Sequence, residues 1–465
     1  MTTLPQVRRP SCAAVETLPN ELLASIFATG AASEVMITLR YSVTPFPCLV
    51  SSVNRHWREV AINLPIIWTS VIMSDNGSLE FPALCIRRSG DLPLHAFAFL
   101  GRNDSRTQEI AELLILHLHR LSRLSINMSM AHLPRDFFSC FTHLLAPELQ
   151  HLDVQLEDEW PISLQDALTD ISLDQFLSGG TPRLFSLWLR GDILVTSPRW
   201  ATVTSLSLTL DPLYRNRIWD DLTDLLGCCP LLEELVVNGS IPLPYDHELD
   251  NDIHLDSLRA LAVDCLPSIH HPADVALFLT HIKAPALRYL ELSCVSGLAL
   301  NRLLARHSAF PIYPTLETLR IFHFIPGNEG PASVHELFPS IRELQTDTTS
   351  CEALLFPSLL PPLPSPDDKQ LVSLSIWPHL DTLTFEKADF NRLYDIVQSR
   401  KHSGHSLSHI RIRDACYSAL QLELLKEYVS VERLIDHVNG YIPSSPAFDI
   451  KDFPDLSWMW SESET

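Results

Sequence analysis

The hexapeptide Leu121-Ser122-Arg123-Leu124-Ser125-Ile126 decides the fold, because its form, apolar-x-x-apolar-x-apolar, returns along the chain. It recurs at Leu149-Leu152-Val154, Leu184-Leu187-Leu189, Val203-Leu206-Leu208 and Leu232-Leu235-Val237. It continues through Leu258-Leu261-Val263, Leu287-Leu290-Leu292, Leu316-Leu319-Ile321 and Leu380-Leu383-Phe385, and ends at Leu407-Ile410-Ile412. Ile341-Leu344 and Val431-Leu434 are weaker copies whose last position is polar. Successive copies start mostly 24 to 29 residues apart, with outliers of 35, 19 and 39. The alternating end of each copy predicts a short strand. A strand that short needs parallel neighbours, and stacking copy on copy closes its hydrogen-bond ladder.

In period and strand motif the array resembles leucine-rich repeats. That resemblance implies an α/β solenoid with parallel strands on a concave face and helices outside. Helix-compatible stretches at Trp219–Leu226, Asp274–His281 and Leu393–Val397 can form the outer layer. Pro stands just before the motif at Pro230, Pro285, Pro314 and Pro339, where it ends one helix and sets the turn into the next strand. The family's Asn or Cys three residues past the last leucine is missing, and Cys265 and Cys294 fall one position short of it, so the array is irregular. Two stretches interrupt it: 155–180, with the acidic Glu157-Asp158-Glu159, and the Pro-rich Leu359–Asp368. The strand positions facing away from the core are the target-binding candidates: Trp188 and Arg190, Tyr289 and Glu291, Arg320 and Phe322, His409, Arg411 and Arg413. Aromatic and Arg side chains carry most of the energy of protein interfaces.

Upstream lies a different pattern. Leu18-Pro19-Asn20-Glu21-Leu22-Leu23-Ala24-Ser25-Ile26-Phe27 predicts a helix, with Leu22, Leu23, Ile26 and Phe27 as one apolar stripe and Pro19 in the first turn. Leu49, Val50, Val53, Trp57 and Val60 predict a second amphipathic helix, followed by Leu64-Pro65-Ile66-Ile67-Trp68. Elements this short bury little apolar surface by themselves, so a partner surface is expected. Leu-Pro-x-Glu-Leu-Leu-x-x-Ile-Phe, then Val-Asn-Arg-x-Trp-Arg-x-x-Ala and a closing Leu-Pro-x-x-Trp, resembles an F-box of the kind common in fungal proteins. The resemblance implies a helical docking module for the Skp adaptor of cullin-based SCF ubiquitin ligases. By position, Leu18, Pro19, Ile26, Val53, Asn54 and Trp57 match its adaptor-facing or helix-packing residues. The link Ala28–Pro47, with Gly30 and a Pro45-Phe46-Pro47 break, is longer than the family's usual one. Between this module and the array, strands are expected at Trp68–Met73 and Leu92–Phe99, and helices at Phe81–Arg88 and Gln108–Leu121.

A hydrophobic content of 46% over 465 residues supports a large core and excludes wholesale disorder. The formal charge of −22 argues against a nucleic-acid backbone or an anionic membrane as partner, since both call for a basic surface. Ten cysteines without a CxxC read as small buried hydrophobes in a reducing compartment, and no run has the length of a membrane span. The expected location is therefore the cytoplasm or nucleus, with the Asn-x-Ser sites out of reach of glycosylation.

No nucleotide loop, GxSxG elbow or dinucleotide fingerprint is present. His335-Glu336 begins like a zinc-protease helix, but Pro339 stands where the second His belongs. The chain is thus expected to be a non-enzyme without cofactor or metal, organised as a lead-in (1–16), an F-box (17–72), a repeat array (73–440) and an acidic tail with Trp458 and Trp460 (441–465). Its expected role is the substrate-recognition adaptor of an SCF ligase. The alternative is an F-box and repeat scaffold that works outside a ubiquitin ligase.

Overall fold

In the computed structural model the described residues are 18–41, 45–101, 104–129, 135–157, 176–191, 200–210, 219–239, 241, 252–264, 274–306, 311–325, 334–347, 350, 377–385, 389–413 and 417–434. Both termini, the lead-in, the Pro-rich stretch, most of the 155–180 interruption and Trp458 and Trp460 lie outside them. No described helix is long and apolar enough to cross a membrane. The described residues up to Leu184 belong to one compact unit and those from Phe185 on to a second.

The first unit opens with three helices, α1 (Asn20–Tyr41), α2 (Phe46–Val53) and α3 (Arg55–Ile62), and a 3-10 turn at Pro65–Trp68. The expected second helix is therefore two. Asn54 takes an extended backbone (φ −157°, ψ 179°) and its side chain accepts the Trp57 N–H, so it caps α3 and separates it from α2. The long link is largely helix: α1 runs through Gly30, where a Cβ would overlap the Phe46 ring. Glycine there lets α2 return onto α1.

The chain then alternates strand and helix: β1 (Ser70–Ser74), α4 (Glu80–Arg88), β2 (Leu94–Leu100), α5 (Asp104–Leu116), β3 (Leu121–Ser129), α6 (Arg135–Ser139) and β4 (His151–Glu157). Each strand pairs in parallel with the next. The register aligns Val71, Ala96, Leu124 and Leu152 in one row and Met73, Ala98, Ile126 and Val154 in another, all 1% exposed or less. The stacked array thus starts two strands before the first recognisable motif. Small Ala96 and Ala98 replace leucine in β2, which is why the motif did not show there.

The second unit repeats the arrangement with ten parallel strands in one ladder. These are β5 (Ser186–Arg190), β6 (Ser205–Leu210), β7 (Glu234–Gly239), β9 (Ala260–Asp264), β11 (Tyr289–Ser293), β12 (Thr318–Phe322), β13 (Glu343–Thr346), β14 (Thr382–Phe385), β15 (His409–Arg413) and β16 (Ser430–Leu434). Two-residue β8 (Ile253–His254) and β10 (Ile282–Lys283) pair separately. The middle motif leucine forms one unbroken row from Leu187 to Ile410, 3% exposed at most. Each such side chain contributes about 1.5–3 kcal/mol by leaving water. The expected helices form as α7 (Trp219–Gly227), α8 (Asp274–His281) and α11 (Phe390–His402), beside α9 (Gly297–Arg306), α10 (Val334–Leu337) and α12 (Ala419–Lys426).

Proline works one step later than helix termination alone requires. Leu232, Leu287, Leu316 and Leu380 each donate their N–H to the carbonyl three residues back, in Cys229, Ala284, Tyr313 and Trp377. Pro230, Pro285, Pro314 and Pro378 therefore sit at the second position of a β-turn, which their fixed φ favours. Buried side chains also donate to backbone carbonyls. Arg120 donates to the carbonyls of Ile86 and Leu92, Arg400 to those of Trp377 and Leu380, and the Trp377 indole N–H to that of Phe338.

Candidate functional site

Two surfaces stand out, one in each unit. In the first, the predicted stripe of α1 splits. Leu23 and Phe27 are fully buried, while Leu22 and Ile26 are 52% and 51% exposed. Phe27 packs inward against Trp57 (ring centroids 5.1 Å) and Phe46 (6.4 Å). On α2, Val50 is buried and Leu49 and Val53 are exposed, and Ile62 and Ile66 extend the exposed set. The i, i+4 spacing of Leu22 with Ile26 and of Leu49 with Val53 makes two apolar ridges. The Trp68 indole N–H donates to the Ala61 carbonyl at 2.8 Å, and the Arg88 guanidinium lies 4.4 Å from the Trp68 ring centre.

Of the residues expected here, Ile26 and Val53 are exposed. Pro19 is also exposed, and its carbonyl accepts the N–H groups of Leu22 and Leu23. Leu18 and Trp57 are half-buried, and Asn54 is the cap of α3. Leu22, Leu49, Ile62 and Ile66 were missed. Their signal is helical phase: each lies next to, or four residues from, a residue that the aromatic centre takes inward.

In the second unit the strand face opposite the leucine rows carries the predicted binding candidates. Tyr289 and Arg320 are 2% and 4% exposed. The Tyr289 hydroxyl donates to Glu291 Oε2 at 2.5 Å, and Arg320 Nη1 donates to the Tyr289 oxygen at 2.7 Å and to Glu291 Oε2 at 3.0 Å. The Arg320 guanidinium also stacks 5.0 Å from the Phe322 ring centre. Burial, and after it the Glu291 charge, pushes the Tyr289 hydroxyl well above its ordinary range. Arg411 spans β13 to β16 through Glu343 (2.8 Å) and Glu432 (3.0 Å). Trp188 and Arg190 are half-buried and His409 is exposed; the Arg413 side chain lies outside the described residues. Tyr289, Glu291, Arg320 and Phe322 are thus engaged with one another, and Arg411 with Glu343 and Glu432.

At the C-terminal ends of the strands, Cys294 (φ 56°) and His323 (φ 50°) occupy the left-handed position that Gly191 and Gly239 fill in sister repeats. Asp347 accepts the His323 backbone N–H at 2.5 Å. Burial and the Asp264 charge raise the Cys294 thiol to about 11, so it stays protonated and is a poor nucleophile. Ser178 Oγ lies 3.0 Å from His143 Nδ1, but the same oxygen accepts the His143 backbone N–H at 2.8 Å, tying two loops together. Among the described residues no three His, Cys, Asp or Glu side chains are placed to hold a metal ion. No protein-family model and no curated protein matches this chain.

Proposed function

We propose that the chain is a substrate-recognition adaptor of a cullin-based SCF ubiquitin ligase, docking on the Skp adaptor through α1–α3 and holding a target protein on a leucine-rich-repeat-type solenoid. The reading is supported above all by one observation: the motif that resembles an F-box folds as three helices, the first two of which leave Leu22, Ile26, Leu49 and Val53 exposed. The chain itself performs no bond chemistry and needs no cofactor. Tethering raises the effective concentration of the target's lysines beside a charged conjugating enzyme carried by other subunits. The action belongs to the cytoplasm or nucleus.

The test is a pull-down of the full chain with purified Skp adaptor, beside Ile26→Asp and Val53→Asp. Both positions are over half exposed, so the variants keep their fold by circular dichroism. Loss of capture in both, with capture by the native chain, is the expected result. No capture by the native chain refutes the docking reading. Capture without ubiquitin transfer in a reconstituted assay favours a scaffold outside a ligase.

A further inference from the structure

Beside the strand face, the second unit presents a rim at the N-terminal edge of its strands. The residue after the first motif leucine makes one column along that rim: Glu233, Arg259, Arg288, Glu317, Arg342 and Asp381. The backbone of this column is locked. Each carbonyl from Glu233 to Arg342 accepts two N–H groups from the next repeat, as when Arg342 and Glu343 donate to Glu317 at 2.8 and 3.0 Å. The side chains are not locked. Arg288, Glu317, Arg342 and Asp381 are exposed and make no ion pair with a described residue, whereas Arg259 reaches Glu233 at 3.8 Å. On the strand face the comparable groups are buried or paired, Arg320 and Arg411 among them.

The rim also holds a shallow cleft of about 230 Å³, lined by Pro314, Thr315, Glu317, Ser340, Arg342 and His379. Its proline and hydroxyl residues come from the β-turns of successive repeats, so its width is set by the stacking itself. The cleft brings one carboxylate, one guanidinium and one imidazole to a single mouth. Across the rim the order from Arg288 to Arg342 is basic, acidic, basic, and neighbouring strands lie about 4.8 Å apart. Side chains at i, i+3 and i+4 of a helix are about 5–6 Å apart, which matches that step better than the roughly 7 Å between same-side residues of a strand.

We propose that this rim docks a helical segment of a partner protein whose face reads acidic, basic, acidic at successive turns. The acids meet Arg288 and Arg342 (with His379 beside it), and the base meets Glu317. Because the backbone of the column is already fixed, little ordering is lost on binding beyond the side chains. The proposal deepens the target-holding half of the function given above and rests on that half alone, since adaptor docking uses other residues.

A display library of helical peptides with randomised charges, panned against the full chain, provides the test. Native protein selects acidic-basic-acidic faces. The triple variant Arg288→Glu, Glu317→Arg, Arg342→Glu rejects them by about tenfold and selects the inverted pattern, since three exposed pairs together amount to about that factor. All three positions are exposed, and an unchanged circular dichroism spectrum and Skp-adaptor pull-down show that the variant is folded. Peptides indifferent to the charge swap overturn the proposal, as does the absence of any selected helix. Failure of the pull-down with native protein, with the rim selection intact, refutes the adaptor reading and leaves the rim standing.

Discussion

Replacing Arg320 with Met probes the polar cluster at the middle of the second unit. The guanidinium is 4% exposed and its Nη1 serves two acceptors, the Tyr289 oxygen at 2.7 Å and Glu291 Oε2 at 3.0 Å. Removing it strands a carboxylate whose side chain is 19% exposed. Breaking a fully buried pair costs about 3–5 kcal/mol, and losing a hydrogen bond to a charged group about 1.5–3. Glu291 keeps some access to water and still accepts the Tyr289 hydroxyl at 2.5 Å, so the lower range applies and the expected loss is about 2–3 kcal/mol. The double variant Arg320→Met, Glu291→Met removes both charges together. It should recover most of that loss, because a well-packed apolar pair is often as stable as the ion pair it replaces. The assay is urea unfolding of the native chain, Arg320→Met, Glu291→Met and the double variant by circular dichroism, read as a double-mutant cycle. A single-variant loss below about 1 kcal/mol, or a double variant less stable than the single, contradicts the reasoning.

Four further outcomes are expected. Gly239 has φ +94° and a Cβ there would overlap the Leu210 carbonyl oxygen, so Gly239→Ala should cost at least about 3 kcal/mol in urea unfolding. Gly227→Ala, at a helix end with open space around it, should instead stabilise by up to about 1 kcal/mol. Asn54→Ala removes the α3 cap and should cost about 0.5–2 kcal/mol, read as weaker hydrogen-exchange protection of residues 55–62; unchanged protection would mean that the cap is idle. His281 is 4% exposed, edge-on to Trp219 and 3.5 Å from Asp252. Burial lowers its pKa, Asp252 opposing and Arg306 and Lys283 assisting. The unfolded chain therefore binds more protons as pH falls through about 6.5, and stability is lost in that window. The thermal midpoint of the native chain should drop from pH 7.5 to 5.5, and His281→Gln should flatten the drop; an equal slope in both would refute the assignment.

Recognising the array did not require a structure. A leucine that returns at nearly constant spacing must stack on its equivalents to leave water, and the nine-strand row from Leu187 to Ile410 is that requirement met. The N-terminal helices were legible for a similar reason, since their apolar spacing is local. Tertiary structure decided what such spacing cannot hold. Leu22 and Leu23 are chemically identical, and only the place of Phe46 and Trp57 sends one outward and the other in. Arg320 reads as an interface anchor until stacking sets it beside a Tyr and a Glu from the previous repeat. Arg288 and Arg342 draw no notice in the sequence because they flank the motif leucine, yet the β-turn and the locked backbone make them the exposed row. Periodicity belongs to the chain, but the partner of each side chain depends on register between strands dozens of residues apart. That register exists only once the repeats have stacked.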